Sequence, residues 1–173
     1  MPGAESQTAF RALIRVYGLI GRIMQPYFSR RGISGSQWAL LRVIFRAEQE
    51  RRSGLRITEL GDRLLIRPPS ISGLVDRLQR LGYVERSLPQ GDLRCKEVRL
   101  TDSGRDLVQE ILKTHGDQIA HLMSGLDDAE QQNLLQLLEK LANHLASISD
   151  EPQGRTSGIS SEAGSDQTAG LQL

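Results

Sequence analysis

The sequence is poor in several features that mark particular classes of protein. It has one cysteine, Cys95, which excludes a disulfide framework within the chain and fits a reducing compartment. No run of about 18 apolar residues occurs, and the N-terminus lacks the basic and then apolar pattern of a signal peptide. We therefore expect a soluble, cytoplasmic protein with no membrane partner.

A net charge of one sign is also missing, because the formal charge is +1. Residues 42–99 nevertheless contain 13 arginines and lysines against 8 acidic residues, whereas the rest of the chain contains 9 against 13. Of the 22 basic residues 19 are arginine, which suits bidentate contacts with phosphate and guanine. The middle of the chain is a candidate for nucleic-acid binding, although solvated surface arginines explain its charge equally well.

Long amphipathic helices are predicted at both ends of the chain. Residues 6–29 and 126–148 place apolar side chains at alternating steps of three and four, the spacing of a helix packed along another helix. Pro26 is expected to kink or shorten the first helix. A further helix is expected after Thr101. The apolar seams consist of Phe10, Leu13, Tyr17, Ile20, Met24 and Tyr27, and of Leu134, Leu138, Leu141, Leu145 and Ile148.

Two shorter helices are predicted next. Ser34 and Gln37 have the spacing of a capping box, which marks the start of a helix. The next helix is expected over residues 55–65, capped by Thr58. Gly61 in its interior is unfavourable by roughly 1 kcal/mol relative to alanine, so it indicates close approach by a neighbouring helix.

A fourth helix is predicted to start at a proline pair. The residue before a proline is pushed out of the α region, so a turn is expected at Arg67, with Pro69 in the first helical turn. Gly82 should end this helix. Its predicted buried face comprises Ile71, Leu74, Val75, Leu78 and Leu81.

The hydrophobic period then changes from helical to strand-like. "YVERSL" and "CKEVRL" predict two short strands, and "PQGD" between them has the composition of a turn. Val98 and Leu100 share one face of the second strand, opposite Cys95, Glu97 and Arg99. A short helix, a tight turn, a second helix and a basic hairpin indicate a winged helix-turn-helix, whose second helix enters the major groove.

Four stretches resemble the MarR family of bacterial transcriptional regulators. "ISGSQWALLRVI" resembles the second helix of the family, and "ITELGDRL" resembles the first helix of its helix-turn-helix. "PPSISGLVDRLQRLGYVER" resembles its recognition helix and first wing strand, and "DLRCKEVRLTDSGRDL" its wing and the start of the next helix. In order and spacing these stretches cover residues 33 to about 107.

The resemblance implies a mainly α fold with a small β-hairpin wing. Residues 1–32 and 102–148 would form dimerisation helices around a winged helix-turn-helix DNA-binding lobe at 33–101. The Ser-, Gly- and Gln-rich composition of 149–173 predicts a disordered tail. The resemblance further implies a homodimer on a pseudo-palindromic operator in double-stranded DNA, usually acting as a repressor that a small aromatic ligand or oxidation releases.

Carried over by position, the resemblance also implies which side chains meet DNA. Five lie on the DNA side of the recognition helix and three in the wing, where Arg94 would enter the minor groove, braced by Asp92. For Arg77 the alternative is a surface ion pair with Asp76 or Glu85. The implied contact residues are Pro69, Ser70, Ser72, Gly73, Arg77, Asp92, Arg94 and Lys96.

A ligand site is implied between the dimerisation helices and the DNA-binding lobe, with Arg15, Tyr17, Trp38 and His115 as candidate lining residues. For Trp38 and Tyr17, packing in the core is an equally good explanation. Cys95 lies beside two cations that could lower the pKa of its thiol, so a redox switch is conceivable. The redox-sensing cysteine of the family is in the first helix, however, and this chain has no second cysteine.

The remaining chemistry of the sequence favours no enzyme. His115, His121 and His144 lack the spacing that places two metal ligands on one helical face, so we expect no metal or other cofactor. No nucleophile elbow or phosphate-binding loop occurs. Two alternatives stay open, namely a constitutive or redox-controlled regulator, and a winged-helix protein-interaction module that does not bind DNA.

Overall fold

The computed structural model describes residues 3–87 and 97–150 of the chain, which divides into two compact units, Met1–Gly125 and Leu126–Leu173. The predictions for Asp92, Arg94, Cys95 and Lys96, and for residues 151–173, lie outside the described residues. The elements are α1 (Ala4–Ser29), α2 (Gly35–Gln49), β1 (Leu55–Arg56), α3 (Ile57–Leu64), α4 (Pro68–Arg80), β2 (Val84–Ser87), β3 (Glu97–Leu100), α5 (Asp102–Met123) and α6 (Asp128–Asp150).

The predicted start of α2 is confirmed. The Ser34 hydroxyl accepts a hydrogen bond from the backbone N–H of Gln37 at 3.2 Å, and the Gln37 side chain accepts one from the backbone N–H of Ser34 at 2.7 Å. This reciprocal pair satisfies two amide groups that the first helical turn cannot satisfy by itself.

The start of α3 differs from the prediction, because Leu55 and Arg56 form a short strand. Leu55 pairs with Val98 of β3, so the small sheet has three antiparallel strands in the order β1, β3, β2. Thr58 is not the cap, since the helix begins at Ile57 and the Glu59 carboxylate accepts the backbone N–H of Arg56 at 2.8 Å. The strand was not predictable locally, because its partner lies far along the chain.

The hydrophobic core of the first unit joins the end of α1 to the helices and sheet that follow. Tyr27 and Phe28 are buried in it. The helix α1 continues past Pro26 to Ser29, so the shortening considered for Pro26 does not occur, and the alternative of a kink stays a prediction. Burying a large apolar side chain stabilises a fold by about 1.5–3 kcal/mol. The fully buried large side chains include Leu40, Leu41, Ile44, Leu55, Leu60, Ile71, Leu78 and Ile111.

Two predictions about individual side chains have opposite outcomes. Val98 and Leu100 are buried while Arg99 is exposed, which confirms the alternation predicted for β3. Leu81 is 48% exposed and does not belong to the buried face of α4. It follows the last helical residue, and the chain turns away at Gly82, whose φ of 76° favours glycine.

Much of the predicted seam on α1 is exposed. Tyr17 is 78% exposed, so packing in the core of its own chain is not its role. The second unit contains α6, which continues past Ser149, the predicted start of the tail, and also exposes apolar side chains along its length. Within the described ranges we find no helix with the length and hydropathy needed to cross a bilayer. The exposed apolar side chains of the two helices include Phe10, Leu13, Ile20, Leu138, Leu141, Leu145 and Ile148.

Candidate DNA-binding surface and effector cavity

The turn between α3 and α4 is tight because of Gly61. The backbone N–H of Ile66 donates to the Gly61 carbonyl at 3.0 Å, and a Cβ on Gly61 would lie 2.8 Å from the Ile66 carbonyl oxygen. The close approach predicted for Gly61 is therefore to the backbone of the turn, rather than to the body of a helix. Leu65 is the C-cap of α3, and its backbone adopts the left-handed conformation with φ 54°.

The start of α4 is set by its two prolines. Arg67 is extended, with φ −62° and ψ 143°, and the prolines take the first helical positions, where the missing N–H groups are not needed. Ile71, Val75 and Leu78 face the core. The burial of these three side chains determines which side of α4 faces away from the core.

The residues predicted to meet DNA lie on that outer side to different degrees. Ser70 and Arg77 are exposed, as is Pro69, whereas Ser72 and Gly73 are half-buried. A Cβ added at Gly73 would have no heavy atom within 4 Å, so the helix surface there is open.

Arg77 is left without either of the ion-pair partners considered from the sequence. Asp76 binds Arg86 at 2.6 Å, and Glu85 binds Arg99 at 2.8 Å. Within the part of the chain that the structure describes, no ion pair of Arg77 is found. Its guanidinium is therefore available on the exposed side of α4.

Arg86 connects β2 to α4, a contact that was not predicted from the sequence. Its guanidinium donates to the Gln79 side chain at 2.7 Å and to the Asp76 carboxylate at 2.6 Å. Both acceptors are on α4, while Arg86 is on β2. The pair of hydrogen bonds sets the orientation of the first wing strand relative to α4, and only the opposite charges could have suggested it from the sequence.

A second junction joins the end of α4 to α5. The Thr101 hydroxyl donates to the Gly82 carbonyl at 2.6 Å and accepts from the backbone N–H of Gly104 at 3.0 Å. The backbone N–H of Thr101 also donates to the Tyr83 carbonyl at 3.1 Å. A Cβ on Gly104 would collide with that carbonyl, so glycine is needed there.

An open cavity of about 980 Å³ lies between α1, α2, α5 and the turn that precedes α4. It brings together three of the four side chains predicted for a ligand site, namely Tyr17, Trp38 and His115. Arg15 does not line it, and the positive charge at the cavity comes instead from Arg42 of α2. Arg42 was not among the lining residues predicted from the sequence. It lies one helical turn after Trp38 and therefore on the same face of α2.

His115 is held within a cluster of aromatic rings. Its ring centroid lies 5.1 Å from that of Trp38, in an edge arrangement, and 6.1 Å from those of Tyr27 and Phe28. Burial, and secondarily the positive charge of Arg42, lowers the pKa of His115 below its ordinary value. Its Nδ1 is buried and has no hydrogen-bond partner among the described residues.

Comparisons with known proteins agree with this geometry. The sequence model of the MarR family matches residues 31–94. The chain is 29% identical over 147 residues to the HTH-type transcriptional repressor YetL of Bacillus subtilis (strain 168), covering 85% of this chain and 86% of YetL. It also matches a crystal structure of mutant MarR from E. coli complexed with operator DNA, with TM-score 0.72, 25% identity, and coverage of 82% of this chain and 98% of that one. Residues 31–94 thus match the MarR family, and the chain is similar to regulators of this family over most of its length.

The chain is thus a MarR-like DNA-binding transcription regulator with a winged helix-turn-helix, as the sequence predicted. Its fold is also that of BpsR of Bordetella bronchiseptica, with TM-score 0.68, 22% identity, and coverage of 78% of this chain and 98% of BpsR. The DNA binding of BpsR is regulated by 6-hydroxynicotinic acid. By correspondence with the MarR family, α3 and α4 form the helix-turn-helix, and β2 and β3 form the wing.

Proposed function

We propose that this MarR-family regulator is a homodimeric repressor whose operator binding is relieved by a small aromatic ligand. The observation that carries the proposal is the arrangement on the outer side of α4. Arg77 has no ion pair among the described residues, and the helix surface at Gly73 is open. That surface can approach the floor of a major groove closely, and Arg77 can reach guanine or phosphate.

The proposed DNA contacts are those predicted from the sequence. On α4, Ser70 and Ser72 offer hydroxyls to phosphates or base edges, and Pro69 fixes the start of the helix at the groove. In the wing, Arg94 would enter the minor groove with Asp92 bracing it and Lys96 near phosphate. Because Gly73 lacks a side chain, operator preference would depend on arginine contacts and DNA shape as well as on bases read by α4.

The homodimer is supported by the exposed apolar side chains of α1 and α6. Exposed apolar surface of this extent on a small protein marks an interaction site, and a twofold dimer is the commonest way to cover it. Residues 1–32 and 102–148 would supply the interface. A dimer places two recognition helices roughly 34 Å apart, which matches a pseudo-palindromic operator with half-sites one turn apart.

The effector site would be the cavity between α1, α2 and α5. Tyr17 is exposed and offers aromatic surface to a ring, whereas Trp38 belongs to the core and contributes to the cavity wall. Leu64 at the end of α3 and Ile66 in the turn before α4 also line the cavity. A ligand there contacts both the proposed dimerisation helices and the helix-turn-helix. It would act by binding more tightly to the dimer whose recognition helices are wrongly separated for DNA.

A mobility-shift titration tests the proposal, with DNA from the protein's own promoter and scrambled DNA of equal length. Specific binding should be saturable, should require the dimer, and should weaken steeply between 50 and 200 mM salt, by on the order of a thousandfold for six phosphate contacts. Adding 6-hydroxynicotinic acid or a related aromatic acid should shift the titration to higher protein concentration. Equal affinity for both DNAs, or none at low salt, would contradict the proposal and favour a protein-interaction module.

A further inference from the structure

The cluster of rings around His115 joins three helices and contains a buried polar atom without a partner. The imidazole of α5 lies against Tyr27 and Phe28 of α1 and Trp38 of α2, with ring centroids between 5.1 and 6.1 Å away. His115 is 8% exposed, and its Nδ1 has no hydrogen-bond partner among the described residues. Buried polar groups are normally hydrogen-bonded, so this exception needs an explanation.

The unpartnered Nδ1 indicates where the neutral imidazole carries its hydrogen. One nitrogen of a neutral imidazole is an N–H donor and the other is a bare acceptor. A buried acceptor without a partner is tolerated better than a buried N–H without one. Neutral His115 is therefore assigned its hydrogen on Nε2, so an added proton binds at Nδ1, where the described residues offer it no acceptor.

The helices packed on His115 offer no negative charge to an added proton. Burial, and secondarily the positive charge of Arg42 on α2, lowers the pKa of the imidazole. From α1, the Tyr27 hydroxyl is already bonded to the Ile111 carbonyl at 3.1 Å and to the Thr114 hydroxyl at 3.0 Å. Protonated His115 would thus be a buried cation next to a second cation, an arrangement that is strongly unfavourable.

The acidic groups of α5 do not change this balance. Glu110 pairs with Arg31 at 3.4 Å. Asp117 is exposed, and two residues of spacing place it on the opposite side of the helix from His115. Tyr17 of α1 lines the cavity with a phenol, and the lining from the end of α3 and the turn after it is apolar. In the part of the chain that the structure describes, no carboxylate therefore faces the imidazole.

We propose that His115 is a proton-operated switch of operator binding, in which uptake of one proton at Nδ1 loosens the packing of α1 and α2 against α5. Loosening lets water reach the imidazolium. It also frees α5, whose start is joined to the end of α4 by the hydrogen bond from Thr101 to Gly82. The two recognition helices of the proposed dimer then lose the separation that fits the operator. The inference rests on the operator binding of the proposed function and adds a control that needs no ligand.

The direction of the pH dependence follows from the charges. The packed form binds operator and keeps His115 neutral, because burial and Arg42 lower the pKa of the imidazole. In the loosened form the ring is hydrated, and its pKa returns toward the ordinary value of about 6.5. Operator affinity therefore falls as pH drops below about 6.5, by up to about tenfold per pH unit. Histidines elsewhere act in the opposite direction, since added positive charge strengthens binding to DNA.

The test combines two titrations of the full-length protein at fixed ionic strength between pH 7.5 and 5.5. The single tryptophan, Trp38, reports on His115, because their ring centroids lie 5.1 Å apart and an imidazolium quenches indole fluorescence more strongly than a neutral imidazole. Fluorescence anisotropy of labelled promoter DNA reports operator affinity. We expect both signals to follow one transition below about pH 6.5, with affinity falling by about fivefold or more and circular dichroism unchanged.

Two variants and a matched control assign the transition to one residue. His115→Gln and His115→Phe both remove the titrating ring, and phenylalanine keeps an aromatic side chain in the cluster. Operator affinity of either folded variant should stay constant or rise toward acidic pH, and its Trp38 fluorescence should lose the transition. His121→Gln, at an exposed site on the same helix, should keep the wild-type decline.

Three results would overturn the switch: Trp38 fluorescence without a transition, operator affinity that does not follow it, or a decline that persists in a folded His115 variant. Loss of circular dichroism over the same range would also overturn it, because acid would then unfold the protein. Specific operator binding at pH 7.5 that does not decline with acid leaves the proposed repressor intact. No specific binding at any pH would instead contradict the repressor function itself.

Discussion

The Thr101 hydroxyl donates a 2.6 Å hydrogen bond to the carbonyl oxygen of Gly82, and so joins the start of α5 to the glycine that follows the recognition helix. The same helix, α5, carries His115 at the cavity. A shift of α5 on ligand binding would therefore act directly on the end of α4. The junction therefore links α5, which contributes to the cavity lining, to the end of α4.

Replacing Thr101 with valine should weaken that junction while keeping a side chain of nearly the same size. The variant loses both the bond to Gly82 and the cap on the Gly104 amide, so the free energy of unfolding should fall by about 1–2 kcal/mol. Urea denaturation followed by circular dichroism measures it. Ser103→Ala in the same helical turn is the control and should change stability by less than about 0.5 kcal/mol. A Thr101→Val protein as stable as wild type would show that the junction contributes nothing.

Gly73 should tolerate only a small side chain if α4 docks closely in the groove. Gly73→Leu places a bulky group in open space, so the fold should survive while operator affinity falls at least tenfold. Gly73→Ala is the matched control, with the same backbone restriction and a much smaller effect. Fluorescence anisotropy with labelled operator measures both. Normal binding by a folded Gly73→Leu protein is incompatible with close docking of α4.

Arg77 should contribute to specificity more than to general affinity for DNA. Arg77→Ala removes a side chain that can reach guanine or phosphate, and loss of a good base contact reduces discrimination by about 1–3 kcal/mol. The measurement is the ratio of operator to scrambled-DNA affinity at fixed salt. A uniform loss on both DNAs would assign Arg77 to phosphate alone.

The hydrogen bonds from Arg86 to Gln79 and Asp76 of α4, here called the Arg86 brace, should affect DNA binding more than stability. An exposed ion pair contributes about 0–1 kcal/mol to folding, so Arg86→Gln should unfold at nearly the wild-type urea concentration. Losing the fixed angle between wing and helix should nevertheless weaken operator binding several-fold. Arg99→Gln is the control, because its ion pair with Glu85 lies within the wing sheet and does not touch α4. Equal effects of the two variants would rule out the brace.

Stability should depend on the protonation of His115. Because burial lowers the pKa of His115 in the folded state, the unfolded chain binds a proton more readily, and stability is lost as pH falls below about 6.5. His115→Gln should flatten this decline, and His121→Gln should leave it unchanged. Urea midpoints measured from pH 7.5 to 5 show the difference. An identical decline in all three proteins would mean that His115 is not the group responsible.

The sequence was most informative where structure is set by neighbouring residues. The capping box of Ser34 and Gln37 and the prolines before Ile71 are local, and both act as predicted. The strand at Leu55 was missed because it exists only by pairing with Val98.

The candidate site shows the same contrast. The cavity residues Trp38 and His115 were found through resemblance, whereas Arg42 and the brace of Arg86 depend on which elements meet in space. The unused Nδ1 of His115 is a property of packing alone, and no sequence pattern announces it.

In the proposed complex, paired copies of α4 enter successive major grooves of one operator. Hydroxyl-radical footprinting of the promoter DNA measures this arrangement. We expect two protected half-sites related by twofold symmetry, with centres roughly 34 Å or one helical turn apart, present for wild type and Gly73→Ala and lost for Gly73→Leu. A single unpaired footprint, or protection that persists unchanged with Gly73→Leu, would contradict it.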